Sequence, residues 1–181
     1  MVAVSSPQTT RVVALDLDTI YREHVEYVWA TLRRLGVAAA DLEDVTHEVF
    51  VTVHRRLCDF DADRQMRPWI FGIALRIASR YRRRARRVRE VSDEQLSAIG
   101  DDRRGADEAL AERDARRIVF DALDRLSEEQ RAVFVLHELE GCSVPQIALQ
   151  LGVPLNTVYS RLRVARERFI AAATRAKEAS R

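Results

Sequence analysis

Apolar residues recur three and four positions apart through two long blocks of this chain. In the first block Leu42, Val45, Val49 and Val53 form one such row; in the second, Val158, Leu162, Ala165 and Phe169 form another. A row of this period is the inward stripe of an α-helix and cannot lie on one face of a strand. Composition agrees. Hydrophobic residues make up 47% of the 181 positions, aromatics only 7%, with 6 Gly and 4 Pro. That is enough apolar material for packed cores, drawn from residues that favour helix over sheet. The predicted class is all-α: two small helical domains joined by a flexible linker.

Residues 1–14 read as a tail and 15–89 as the first domain. Its helices are predicted over Ile20–Leu35, ending at Gly36, over Asp41–Leu57 with Asp41 as N-cap, and over Pro68–Arg89 with Pro68 in the first turn. Ile70, Ile73, Ala74, Ile77 and Tyr81 are its expected inward residues. Residues 90–106 lack the apolar period, hold Gly100 and Gly105, and read as the linker, although Ser92 to Gln95 resembles a capping box. About 20 such residues reach at most roughly 65 Å, or about 19 base pairs at ~3.4 Å each. Two domains so joined could read two separated sites on one duplex. The second domain is predicted over 107–173, followed by a tail, 174–181. Its first helix spans about Asp107 to Leu126, with Ile118, Val119, Ala122, Leu123 and Leu126 inward.

Charged residues reach 32%, yet the net charge is only +2, so affinity for a polyanion must come from local clustering. Lys177 is the only lysine. Arg suits phosphates and base edges better than Lys, but a GC-rich genome would produce the same overall bias. Only the clusters carry an argument.

The clearest one ends the third helix, where Arg80, Arg82, Arg83, Arg84, Arg86, Arg87 and Arg89 crowd together. Arg76, Arg80, Arg83 and Arg87 stand at i, i+4, i+7 and i+11 and line one flank. Such a stripe repels itself unless a polyanion neutralises it; otherwise it is a solvated helix end helped by the helix dipole. Trp69, Phe71 and Tyr81 are interleaved with it, and aromatics beside Arg can stack unpaired bases. Trp69 and Tyr81 read as core. Phe71 points nearly opposite Ile73 and is the expected exposed aromatic.

The second block holds a helix-turn-helix signature. Ser127-Glu128-Glu129-Gln130 is a capping box opening a helix with Val133, Phe134 and Leu136, which ends at Gly141. Ser143-Val144-Pro145-Gln146 opens a short helix with Ile147, Ala148 and Leu151 inward, and Gly152 supplies the turn. The last helix starts near Pro154 and presents Asn156, Ser160, Arg163 and Glu167 on its outer face, with Tyr159 beside them. Side chains that donate and accept from one helix face are what reading the major groove requires. Arg161, Arg166 and Arg168 on the flanks suit phosphates, or are ordinary solvated surface residues.

On the second helix, Asp44, His47, Val51 and Arg55 face away from the core, with Glu48 and Phe50 beside them. An acidic patch with exposed apolar residues suits a protein partner rather than DNA. His47 and His54 lie too far apart for the usual close metal-ligand pair, and Cys58 and Cys142 have no zinc-finger spacing, so no metal or cofactor is expected. Both cysteines read as buried small hydrophobes of a cytoplasmic protein. Met1 to Thr10 shows no secretory signal, and no stretch approaches a membrane span. No nucleophile and base pair or glycine-rich phosphate loop points to catalysis.

Taken together these residues resemble the sigma-70 family of RNA polymerase sigma factors, in its extracytoplasmic function (ECF) group. Asp41-Leu42-Glu43-Asp44-Val45-Thr46-His47-Glu48-Val49-Phe50 is similar to the region-two helix that docks on the clamp of the polymerase beta-prime subunit. Arg67-Pro68-Trp69-Ile70-Phe71-Gly72-Ile73-Ala74 and the following arginines resemble the segment that opens and reads the minus-ten element. Leu123 to Arg166, with Gly141-Cys142-Ser143, Gln146-Ile147-Ala148 and Asn156-Thr157-Val158-Tyr159-Ser160-Arg161, resembles the region-four reader of the minus-thirty-five element. The resemblance implies core polymerase (beta-prime clamp and beta flap) and promoter DNA as partners, with an anti-sigma factor as a further one. It implies polymerase contacts at Asp44, His47, Glu48 and Val51. It implies minus-ten contacts at Arg64, Arg67, Phe71, Arg76, Arg80, Arg83, Arg84 and Arg87. Minus-thirty-five contacts fall on Asn156, Thr157, Tyr159, Ser160, Arg161, Arg163 and Arg166. The loop from Asp61 to Arg67 would capture an unpaired base, and Arg80→Glu with Arg83→Glu would block promoter opening while polymerase binding survives.

Some positions depart from the family pattern. Gln146 stands where Glu is usual, His47 where Gln is common and Arg76 where Asn is frequent. Asn156, Tyr159 and Val164 replace a usual Gly and two common basic positions. A promoter sequence therefore cannot be borrowed from relatives. The alternative function is a stand-alone helix-turn-helix regulator, and a nuclease using scattered carboxylates is a third class.

Overall fold

The computed structural model describes residues 16–61, 65–91 and 108–179. Among them are seven helices: α1 (Leu17–Arg34), α2 (Leu42–Arg56), α3 (Met66–Val91), α4 (Glu108–Asp124), α5 (Glu128–Phe134), α6 (Val144–Leu151) and α7 (Leu155–Ala179). Helices α1, α2 and α3 pack on one another, and α7 gathers α4, α5 and α6. The secondary structure is helical, with short 3₁₀ turns at Ala39–Asp41 and Leu57–Asp59 and a π turn, Val135–Leu139, continuing α5.

The helix ends follow local chemistry. The Ser127 hydroxyl accepts from the Gln130 amide at 3.3 Å, and the Gln130 side chain accepts from the Ser127 amide at 3.2 Å. At α6 the Ser143 amide donates to the Gln146 side chain at 2.8 Å, so Gln146 completes the capping box. Ser127→Ala is expected to cost about 1 kcal/mol and to lower the melting temperature by about 2–4 °C, checked by thermal unfolding. Gly152 closes α6 at φ +65, a left-handed conformation that favours glycine and sets the turn into α7.

Packing corrects several expectations. Phe71, expected outside, is fully buried. Helix α3 packs against both α1 and α2, so it buries Ile70, Phe71, Ile73, Ala74, Ile77 and Ala78, a face wider than one stripe. Val119, expected inside, is exposed, and Cys58 is exposed rather than buried. Phe50 is buried against Tyr21, with ring centroids 4.7 Å apart. Trp69 is half-buried on Phe60 at 4.9 Å, and the Tyr81 hydroxyl donates to Asp41 at 2.6 Å. Their predicted packing role is what the contacts display.

The two helix groups touch. Their buried residues, from Leu35 and Val37 of the first to Leu123 and Phe134 of the second, belong to one continuous cluster. No helix among the described residues is long and apolar enough to cross a membrane.

Candidate nucleic-acid interface

Helix α7 is held by its apolar row: Val158, Leu162 and Ala165 are buried, and Phe169 stacks on Phe134 at 4.6 Å. This packing aims the other face outward. Asn156, Tyr159, Ser160, Arg163 and Arg166 are all exposed, Tyr159 at 53%. Thr157 and Arg161 are half-buried and lie on the flank; Arg161 is close enough to Glu129 to help hold that carboxyl below its usual range, behind hydrogen bonds from backbone and Ser127. Neighbouring acids already engage part of the basic face. Arg163 pairs with Glu167 at 2.7 Å and Arg166 with Glu138 at 2.7 Å. Both pairs are solvent-exposed and hold weakly.

On α3, Arg76, Arg80, Arg83, Arg84 and Arg87 are exposed, as is Arg67 at its start. Arg82 turns inward instead. Burial holds its guanidinium below the usual range, and Arg86 adds to this, while Asp124 and Glu128 oppose it. Arg80 forms an ion pair with Glu48 of α2, so one contact ties the basic stripe to the acidic face. Phe71 is in the core and offers no ring to a base. Arg64 lies outside the described residues, as do residues 92–107 with the capping box at Ser92.

Asp44, His47, Glu48 and Val51 are exposed together on α2. Beneath them Leu42, Val45, Val49 and Val53 are buried. The outward patch is therefore fixed by the same spacing that builds the core.

Arg131 was not singled out by sequence reasoning. It is 1% exposed, and burial lowers its pKa against the opposing pull of Asp124. Its Nε donates to the Arg34 carbonyl at 2.6 Å and its guanidinium meets Asp124 at 2.7 Å. The signal was legible: one charge precedes the run Ala132-Val133-Phe134-Val135-Leu136, on the same helix face as Phe134 and Val135.

An exposed arginine stripe beside an acidic helix face, followed along one chain by a helix-turn-helix, defines a multi-helix DNA-binding protein with a second, acidic patch. Two family descriptions match it: Sigma-70 region 2 over residues 20–88 and Sigma-70, region 4 over residues 116–169. The chain is 33% identical to RNA polymerase sigma factor CnrH of Cupriavidus metallidurans, over 77% of this chain and 76% of the other. It is 30% identical to the ECF RNA polymerase sigma-E factor of Escherichia coli K12, over 76% of each. The solved structure of CnrH in complex with the cytosolic domain of CnrY superimposes with a TM-score of 0.61 and 28% identity, over 86% of this chain and 85% of that one. The chain belongs to the sigma-70 family of RNA polymerase sigma factors, in the ECF group.

Proposed function

We propose that this chain is the promoter-specificity subunit of a bacterial RNA polymerase and that its two helix groups act as separate domains, 15–89 and 107–173, tethered by 90–106. The observation that carries this is the coexistence of three outward surfaces in the order the family uses them. The acidic face of α2 (Asp44, His47, Glu48, Val51) docks on the polymerase clamp. The α3 arginines Arg67, Arg76, Arg83, Arg84 and Arg87 hold the backbone of the melted minus-ten strand. The outer face of α7 reads the minus-thirty-five duplex in the major groove, and the second group docks on the beta flap. Arg80 couples the first two surfaces through Glu48.

The chain itself catalyses no reaction; it directs where polymerase starts, in the cytoplasm. By likeness to CnrH, solved with the cytosolic domain of CnrY, a protein partner of the anti-sigma type is proposed as its regulator.

The test is retention of promoter fragments by core polymerase. Retention of defined sequences is expected only when core and chain are both present. Asn156→Ala with Tyr159→Ala is expected to reduce discrimination at the upstream element by roughly 10-fold or more, at about 1–3 kcal/mol per lost base contact. Unchanged upstream preference in that variant would remove α7 from its reading role.

A further inference from the structure

We propose that Glu138 is a positioning residue of the upstream reader: it holds the Arg166 guanidinium by its inner nitrogen and so turns the outer nitrogens toward a backbone phosphate of the duplex. The inference rests on the functional reading above, in which α7 enters the major groove.

The two arginines of the α7 face are paired in different ways. Arg163 uses a terminal nitrogen, Nη1, and its partner Glu167 stands one turn further along the same helix, 2.7 Å away. A phosphate reaching Arg163 competes with that carboxylate for the same nitrogen. Arg166 instead donates from Nε to Glu138 Oε1 at 2.7 Å. Nε lies where the guanidinium joins its stem. This bond therefore leaves both terminal nitrogens, and the fork they form, for another acceptor. A guanidinium fork matches the oxygens of a phosphate.

Glu138 comes from outside α7, and its backbone is fixed. It sits in the π turn Val135–Leu139, a rare form of helix that recurs at functional sites. The Glu140 amide donates to the Val135 carbonyl at 3.1 Å, and the Cys142 amide to the Leu136 carbonyl at 2.9 Å. The His137 ring closes the turn, Nδ1 donating to the Cys142 carbonyl at 2.9 Å. Val135 and Leu136 are buried beneath the turn, and Leu162 and Ala165 bury the α7 face beside Arg166. Both ends of the pair are thus anchored in the core. A contact that contributes little energy still sets a direction here. Arg166 also borders an open groove with His137, Val144, Tyr159 and Arg163 on its walls, so the fork is reachable from solvent.

Charge and positioning predict opposite signs for the loss of Glu138. It is an acid beside a surface that receives a polyanion. As a charge alone, its removal would tighten binding. As the group that aims Arg166, its removal loosens it.

The experiment uses core polymerase loaded with the full chain and a promoter fragment that this complex retains, titrated over a range of salt. Glu138→Ala is expected to weaken retention roughly tenfold, the scale of one hydrogen bond to a charged group. It is expected to lower the slope of log affinity against log salt by about one, the loss of one phosphate contact. Its melting temperature should stay with the wild type, since exposed pairs contribute little. Glu138→Gln, whose amide oxygen can accept from Nε, should keep the wild-type affinity and slope. Arg166→Ala should match Glu138→Ala, and the two changes combined should be no worse than Arg166→Ala alone. Binding by Glu138→Ala as tight as the wild type or tighter would overturn the proposal, as would additive losses or failure of Glu138→Gln to rescue. A loss that comes with a lower melting temperature and an unchanged salt slope would make the pair structural and overturn it too. If the wild-type complex retains no promoter fragment, the functional reading itself fails and takes the proposal with it. Retention by the wild type with no effect of Glu138→Ala removes the positioning role alone.

Discussion

Arg76→Glu, Arg83→Glu and Arg87→Glu combined are expected to reduce promoter opening by at least about a hundredfold, with retention on core polymerase unchanged. The magnitude follows from counterion release. Each phosphate contact contributes close to one unit of slope in log affinity against log salt, so losing three and adding repulsion compounds over the stripe. These side chains are exposed and share a flank of α3, so reversing them leaves the core intact. Arg80 is left out because its ion pair with Glu48 would carry the damage onto the acidic face of α2 and confuse the two readouts. Permanganate footprinting of the melted region, beside a core pull-down, measures the separation. A salt slope unchanged from the wild type would mean that the stripe is a solvated helix end.

The second large effect is on stability. Phe71→Ala is expected to destabilise the chain by about 3–5 kcal/mol, the range for truncating a buried aromatic. Domains are stable by only about 5–15 kcal/mol in total, so a large share of the first group's stability would go. The ring is fully buried on the helix that both α1 and α2 pack against. Urea unfolding followed by circular dichroism reads the loss. A residue that served to stack bases would show the reverse pattern: native stability with failure confined to DNA opening.

That residue marks where the sequence is legible and where it stops. Capping is written in four adjacent positions, so the boxes at Ser127 and Ser143 and the left-handed turn at Gly152 could be read directly. The outer face of α7 was equally open, because Val158, Leu162 and Ala165 bury one side and thereby fix the other. Phe71 departs from the single-stripe expectation because α3 is enclosed by two neighbours, α1 and α2, and the number of neighbours is a tertiary fact. Val119 fails for the opposite reason: it lies on a flank of α4 that the described residues leave exposed. The burial of Arg131 is signalled by the apolar run that follows it, but its partners, the Arg34 carbonyl and Asp124, lie in other helices and are not written in the sequence. The site residues on α2 and α3 emerged as outward-facing sets, apart from Phe71 and Arg64, the second of which lies outside the described residues.

The central claim is that this chain tells core polymerase where to begin. It is tested most directly by mapping start sites of transcripts made by purified core on genomic fragments, with and without the chain. The account predicts discrete new starts that appear only with the chain, and no sequence-specific gel shift by the chain alone. Unchanged start sites, together with specific DNA binding in the absence of polymerase, would contradict it and make the protein a self-sufficient regulator.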